Sequence, residues 1–106
     1  MGAWHTVTGD DAVSLVMTLL DDDGTAVDIT AAVSANLLVK AEGATGAATV
    51  FACTLTTPAS GIVTAVPTFA SSGKYNGEVE VTFGDGSTRT FPTNGVLNIT
   101  VRQGLN

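Results

Sequence analysis

The chain has 106 residues, enough for one domain with one core, and its net charge of −6 comes from ten acidic and four basic residues. Hydrophobic residues make up 44% of the sequence and charged residues 13%, which excludes an intrinsically disordered acidic chain. The basic residues Lys40, Lys74, Arg89 and Arg102 are scattered, which argues against binding to nucleic acid or to an anionic membrane surface.

The first candidate element is Ala3–Val7, either as a short strand or as part of an extended arm over residues 1–10 of the single predicted domain. It contains Trp4, the only tryptophan. Trp4 either covers the edge of the core or anchors the chain to a neighbouring subunit, because aromatic side chains near chain termini often pack on partners. The start lacks the basic and apolar regions of a signal peptide, and no apolar run approaches the ~20 residues of a membrane span.

Residues 13–20 predict a strand that is apolar on both faces, with Val13, Leu15, Met17 and Leu19 on the inner one. Val16 and Leu20 fall on the opposite face and are candidates for burial against a partner. Three consecutive aspartates at positions 21–23 follow, before a glycine. They indicate a solvated turn rather than a cation site, because adjacent carboxylates diverge and no glutamate follows at calcium-loop spacing.

Residues 28–30 (Asp-Ile-Thr) predict a corner at which the chain changes sheets. Residues 33–41 alternate again, with one apolar set predicted inward: Val33, Ala35, Leu37 and Val39. Leu38 then points outward and is the last interface candidate. Residues 47–55 predict a single strand that carries Cys53 on the same face as Phe51 and Leu55, which makes Cys53 a core thiol rather than a reactive one.

Residues 61–66 predict a further strand, which Pro67 ends. The strongest alternation covers residues 74–83, and an Asp-Gly turn then leads into a second strand, so this part of the chain predicts a β-hairpin. Glu78 and Glu80 lie on its wet face and are interpreted as residues that favour solubility and protect a sheet edge. A break at Pro92 precedes a last strand whose inward residues are Leu97, Ile99 and Val101.

These seven to eight strands, separated by turn signals, predict an all-β protein with an antiparallel β-sandwich. The sequence holds no constellation typical of catalysis, since its only histidine, His5, is near the amino terminus and no glycine-rich phosphate loop precedes a helix. Zinc binding is disfavoured by the lack of clustered histidines and cysteines. We therefore expect no enzyme activity, no bound metal and no cofactor.

Four segments occur in a suggestive order: SLVMTLLDDDG, TAVDIT, SGKYNGEVEVTFGDGSTRTFP and GVLNITV. Together they resemble the amino-terminal domain family of the phage baseplate upper protein. The positions that match the family pattern are Gly24, Val27, Asp28, Thr30, Gly73, Tyr75, Glu78, Val79, Phe83, Asp85, Gly86, Thr90, Phe91 and Pro92. Ala26 stands where the family commonly has proline, and Ile29 where it commonly has leucine.

This resemblance implies an immunoglobulin-like β-sandwich in a phage particle, where the family attaches a variable carboxy-terminal part. Because this sequence ends at Asn106, we expect it to bridge or decorate rather than to carry a distal domain of its own. The expected function is that of a non-enzymatic virion structural protein of the tail or baseplate, assembled in the bacterial host cytoplasm. Its expected partners are other virion proteins and copies of itself, with Trp4, Val16, Leu20 and Leu38 as contacts.

Two alternatives remain open from the sequence. One is a capsid decoration or head-fibre-type accessory protein on the virion exterior. The other is a module that binds carbohydrate or a host surface, for which exposed aromatic side chains on loops would be expected.

Overall fold

The computed structural model describes residues 3–7 (backbone only), 14–21, 23–69, 71–91 and 97–102. These residues form nine strands: β1 Ala3–Val7, β2 Leu15–Thr18, β3 Ala32–Ala41, β4 Thr49–Ala52, β5 Thr54–Thr57, β6 Ile62–Ala65, β7 Gly73–Phe83, β8 Thr88–Phe91 and β9 Leu97–Arg102. The one helical element in these ranges is a 3-10 turn, Pro58–Ser60. Over the same ranges, no helix has the length and hydropathy needed to cross a membrane.

The strands form two sheets. The larger sheet has the order β1-β9-β7-β3-β4, with β8 beside the second half of β7, and the smaller sheet has the order β2-β6-β5. All pairs are antiparallel except β1 and β9, which run parallel. The predicted all-β sandwich is confirmed, with nine strands where the sequence pattern predicted seven to eight.

The core lies between the two sheets and is built by the inward residue of each alternating pair. The largest fully enclosed side chains are hydrophobic and come from both sheets and from the segments beside them: Leu19, Ile29, Leu37, Val63, Val79, Val81, Phe91, Ile99 and Val101. No polar or charged side chain is buried in the described part of the chain. Apolar burial between two pleated layers therefore provides the main stabilisation of the fold.

Strand β7 is the centre of the larger sheet. It pairs with β3 along one side and with β8 and then β9 along the other. Val79 pairs with Phe91, and Gly77 pairs with Leu97. The two positions on β7 are two residues apart, whereas their partners are six residues apart in the sequence. The predicted break after Phe91, and the return with Leu97 and Ile99 buried, are thus confirmed, although Pro92 itself lies outside the described residues.

This central position corrects the interpretation of Glu78 and Glu80. Both lie on the outer face of β7, as the alternation predicted, but β7 has hydrogen-bonded neighbours on both sides. They cannot protect a sheet edge. Their role is to keep the outer face of the larger sheet polar.

Val33 was predicted to point inward, and this is wrong. Its side chain is 64% exposed, because the pairing of β3 with β7 shifts register between Ala32 and Ser34. Such a bulge adds a residue to one strand and turns the following side chains to the other face. Beyond the bulge, Ala35, Leu37 and Val39 are buried as predicted.

The single strand predicted over residues 47–55 is also wrong. The chain pairs with β3 as β4, crosses between the sheets at Cys53, and pairs with β6 as β5. The Cys53 N–H donates to the Ala35 carbonyl (2.9 Å) at the crossing point. The predicted inner face survives the crossing, because Phe51, Cys53 and Leu55 all pack against the core from their respective sheets.

The predicted corner at residues 28–30 is confirmed. The Asp28 carboxylate accepts hydrogen bonds from the hydroxyl and from the N–H of Thr30, and these bonds lower the pKa of Asp28. This turn inserts Ile29 into the core, where it is fully buried and donates its N–H to the Pro58 carbonyl (2.8 Å). The chain thereby passes from the smaller sheet to the larger one.

The turn between β7 and β8 has the predicted chemistry. Gly86 adopts a φ of 88°, and the Asp85 carboxylate accepts hydrogen bonds from the Ser87 hydroxyl (2.6 Å) and N–H (2.9 Å). The Phe83 N–H donates to the Ser87 carbonyl and closes the hairpin (2.8 Å).

These turns predict how stability depends on pH. The pKa values of Asp23, Asp28 and Asp85 are all lowered by hydrogen bonds from the residue two positions later. The stability these carboxylates contribute is present above the unfolded-state pKa of 3.8 and is lost as the pH falls through the lower folded-state values. We expect urea midpoints to change little between pH 7 and 5 and to fall below pH ~4. In a variant with all three aspartates replaced by asparagine, the urea midpoint should fall less steeply below pH ~4. An equally steep fall would show that other groups cause the loss of stability in acid.

Candidate interaction surface

The predicted interface residues Val16 and Leu20 belong to the smaller sheet and its extension. Val16 is on the outer face of β2, in register with Thr64, and its side chain is 62% exposed. Leu20 follows β2, forms an isolated bridge with Ala26 and is half-buried. Val16 is therefore the more accessible of the two.

Leu38 and Trp4 lie elsewhere in the fold. Leu38 is half-buried on the outer face of the larger sheet, in register with Val50 on one side and Glu78 on the other. The backbone of Trp4 is in β1, in register with Ile99. The structure thus places the four candidates on three separate parts of the molecule and does not bring them together.

Four large hydrophobic side chains are strongly exposed among the described residues: Val16 (62%), Val33 (64%), Val50 (57%) and Val66 (45%). Of these four, only Val16 was predicted from the sequence to contact a partner. The alternation of residues 47–55 puts Val50 on the face opposite Phe51, and the pairing of β4 with β3 then places it beside Leu38. Val66 follows β6 directly, two residues after the outward Thr64, and its exposure continues the alternation of that strand.

The outer face of the smaller sheet is uncharged. Its outward residues in the three strands form the surface that we call the small-sheet face: Val16, Thr18, Thr54, Thr56, Ile62 and Thr64. No charged residue occurs anywhere between Glu42 and Lys74, a stretch that includes β4, β5 and β6. The hydroxyl oxygens of Thr56 and Thr64 are hydrogen-bonded to each other across the sheet (2.6 Å), which lowers the need of these groups for water.

The outer face of the larger sheet is different. Glu78 and Glu80 lie along its central strand, Lys40 is exposed in β3 and Arg102 is exposed in β9. Asp21, three residues beyond the end of β2, forms an exposed ion pair with Arg89 of β8. Charge is therefore segregated, with one polar, ionic face and one neutral face.

A cluster of aromatic side chains lies at one end of the sandwich, where β3 and β7 are longer than the strands of the smaller sheet. The ring centroid of Phe69 is 6.3 Å from that of Phe51 and 4.8 Å from that of Tyr75. The Tyr75 hydroxyl donates to the Ser71 carbonyl (2.8 Å). These three rings line a cavity of about 310 Å³ next to the loop that joins β3 to β4.

The acidic turn after β2 uses its described carboxylates within the fold. Asp21 accepts from the Arg89 guanidinium, and Asp23 accepts from the Thr25 N–H (3.0 Å). Asp22 lies outside the described residues. In the described part of the chain, no three histidine, cysteine, aspartate or glutamate side chains are close enough together to hold a metal ion.

Cys53 is half-buried at the crossing between the sheets, and burial raises the pKa of its thiol from 9.0 to about 11. At pH 8 the folded protein should therefore hold about 100-fold less thiolate than the unfolded chain. We expect a disulfide reagent at pH 8 to modify the native protein about 100-fold more slowly than the protein in denaturant. Equal rates would show that Cys53 is accessible and ionised, against the core-thiol prediction.

The comparisons with known proteins add no relative: no family model matches this sequence, and no curated protein matches it. The fold and surface define the protein as a small all-β sandwich with one ionic outer face and one neutral one.

Proposed function

We propose that this chain is a non-enzymatic structural module of a bacteriophage particle, where it attaches to neighbouring proteins of the tail or baseplate. The observation that carries the proposal is the small-sheet face, a neutral surface with Val16 largely exposed in a chain of net charge −6. When a partner covers exposed apolar surface, the complex is stabilised by ~25 cal/mol for each Å² removed from water. On this face Val16 and the half-buried Ile62 lie diagonally across the paired strands β2 and β6, and adjacent exposed apolar side chains are a feature of protein association sites.

The strand order supports an immunoglobulin-like form of the sandwich. In such domains, strands B, E and D form one sheet, and strands G, F, C and C′ form the other. Here the smaller sheet has the order β2-β6-β5, and the larger contains β9-β7-β3-β4. If β2 is taken as strand B, then β3, β4, β5, β6, β7 and β9 follow in chain order as C, C′, D, E, F and G, while β8 is an additional strand beside β7.

The hydrogen bond from Tyr75 gives independent support. Many immunoglobulin-like domains have a tyrosine near the start of strand F whose hydroxyl bonds to backbone a few residues upstream. Tyr75 is the third residue of β7 and donates to the carbonyl of Ser71. Gly77, two positions later, is buried at the place where antibody domains have their second cysteine.

The motif that suggested the phage family maps onto turns of this sandwich. Asp28 forms the corner between the sheets, Tyr75 bonds to Ser71, and Asp85 with Gly86 forms the hairpin turn. These residues support a shared fold with that family, and the phage location follows from the resemblance as a whole.

A capsid decoration or head-fibre-type role would use the same kind of surface and differs only in location. A carbohydrate-binding role is a second candidate, favoured by the cavity beside Phe51, Phe69 and Tyr75. Against it, these rings are half-buried, pack on one another and give the Tyr75 hydroxyl to the backbone. A glycan array with the purified protein tests this candidate, and selective binding abolished by Phe51→Ala would favour it.

The primary proposal is tested on particles of the phage or prophage whose genome encodes the chain. Antibodies against the purified protein should label gradient-purified particles by immunogold electron microscopy, at a fixed position on the tail or the head. Particles from a deletion mutant of the gene provide the control and should be unlabelled. The proposal would be overturned if the antibodies detected the protein only in the soluble fraction and never on particles.

A further inference from the structure

We infer that the free edge of strand β4 binds an extended segment of a neighbouring protein, which adds one strand to the larger sheet. The expected segment is uncharged and places one aromatic or large aliphatic side chain in the cavity beside Phe51. This inference rests on the proposed function, since it names a second contact of an attachment module. It concerns a surface separate from the small-sheet face.

The hydrogen-bond pattern of β4 directs a row of backbone groups to solvent. β4 is the last strand of the larger sheet, and in the described part of the chain only β3 pairs with it. The Cys53 N–H donates to the Ala35 carbonyl, and hydrogen-bonded pairs alternate with non-bonded pairs along antiparallel strands. Residues 49 and 51 therefore bond to β3, whereas the N–H and C=O groups of Val50 and Ala52 point away from it. Groups with this spacing are complementary to another extended backbone.

Strand β4 lacks the features that usually prevent a sheet edge from pairing with another chain. Such edges commonly have charged side chains, prolines or bulges. β4 (Thr-Val-Phe-Ala) has neither a charge nor a proline, its pairing with β3 has no register shift, and three of its four residues are exposed. By contrast, the pairing of β5 shifts register and Pro58 follows it, while β8 contains Arg89.

The cavity beside β4 specifies one side chain of the segment. Its volume is about 310 Å³, and its lining includes the inward residues of β4, Thr49 and Phe51, together with Phe69 and Tyr75. An inward side chain of an added strand would lie ~5 Å from Thr49 or Phe51, on the cavity side of the sheet. Because three aromatic rings line the space, an aromatic or large aliphatic side chain fits it better than a polar one.

A second copy of β4 would not complete this site. Two copies could pair β4 to β4 and satisfy the backbone groups at both edges. The inward side chains of the second β4 would be Thr49 and Phe51, and Phe51 packs against the core of its own copy. The cavity would thus stay unfilled. The edge and the cavity together therefore favour a segment of another protein.

The test is an NMR titration of the isotope-labelled full chain with the peptide acetyl-Ser-Thr-Ser-Phe-Ser-Thr-Ser-amide. We expect the amide signals of Val50 and Ala52 to shift with a dissociation constant of about 1 mM, since a few backbone bonds and one covered ring give weak binding. Replacing the peptide's phenylalanine by alanine should weaken binding about tenfold, because the cavity is then left unfilled.

N-methylation of the peptide provides a matched pair of probes. Residues opposite each other in antiparallel strands have side chains on the same face, so the two serines beside the phenylalanine would bond to β4 while the phenylalanine N–H faces solvent. Methylation of these two serine nitrogens should abolish the shifts. Methylation of the phenylalanine nitrogen should leave binding within about twofold, because β4 does not use that N–H.

A matched pair of protein variants tests the same bonds from the other side. Ala52→Pro removes an N–H that β3 does not use, so the fold should tolerate it, and peptide binding should weaken about fivefold. Ala52→Ser retains the N–H and should bind the peptide like the original chain. The amide spectrum of each variant checks that it is folded.

The inference is overturned if the peptide shifts neither Val50 nor Ala52, or if the two methylated peptides bind equally well. Shifts of these signals with protein concentration alone would assign the edge to a second copy and overturn the choice of partner. Each of these outcomes leaves the proposed function to be decided by immunogold labelling of particles. Peptide binding at β4 by a chain absent from particles would instead overturn the phage proposal alone.

Discussion

Replacement of Phe91 by alanine is expected to lower the free energy of unfolding by about 4 kcal/mol. Phe91 ends β8 and is fully buried, in register with the equally buried Val79 of the central strand. The Arg89 guanidinium carbon lies 4.8 Å from the centre of its ring, so truncation also removes a cation–π contact. The cavity left by the ring would lie within the sandwich, where the two sheets limit collapse.

The loss is measured by urea denaturation of the purified variant at neutral pH. Phe83→Ala is the matched control, because Phe83 ends β7 and packs only partly against the core. Its loss should be about half as large, near 2 kcal/mol. If Phe91→Ala lowered the free energy of unfolding no more than Phe83→Ala did, the described packing of β8 over the core would be wrong.

Gly61→Ala adds a single methyl group and should lower the free energy of unfolding by about 3 kcal/mol or more. Gly61 ends the 3-10 turn with a φ of 70°, a left-handed conformation that costs other residues roughly 1–2 kcal/mol. A Cβ at this position would be 2.5 Å from the Val27 carbonyl oxygen and 3.0 Å from that of Leu19. Both obstacles are backbone, and the Leu19 N–H also donates to the Gly61 carbonyl (2.8 Å), so relief would require the strands to separate.

Gly24→Ala separates these two causes. Gly24 has a similar φ of 85°, but nothing lies within 4 Å of an added Cβ. In urea denaturation, Gly24→Ala should lower the free energy of unfolding only by the cost of placing alanine in a left-handed conformation, roughly 1–2 kcal/mol. Equal losses for the two variants would show that Gly61 has room for a side chain and that the close approach of residues 19 and 27 is wrong.

Much of the fold could be predicted because burial on one face imposes a period of two. Strand β7 shows this most clearly: Gly77, Val79 and Val81 are buried and the residues between them face outward. The corner at Asp28 and the turn at Gly86 were predictable from local side-chain and backbone chemistry.

Other features depend on tertiary pairing and leave no local signal. The bulge that exposes Val33 exists only in the register of β3 against β7. The crossing at Cys53 preserves the alternation of its neighbours, so one long strand and two short ones in different sheets have the same sequence pattern. Ile29 enters the core from a corner rather than from a strand, where no period exists to reveal it.

The candidate surface was only partly predictable for the same reason. Val16 and Leu38 were both predicted outward, but only the assignment of their strands to different sheets shows that they are on different faces. The neutrality of residues 43–73 is visible in the sequence, whereas the strand order is needed to show that β5 and β6 of this stretch join β2 in one sheet and that β4 joins the other.

An electron cryomicroscopy map of the purified particle tests the central claim most directly, because it shows both where the chain sits and which face is covered. We predict density for the sandwich in the particle, with the small-sheet face around Val16 buried against a neighbouring protein. A particle without the chain, or one in which that neutral face is bare to solvent, would contradict the account.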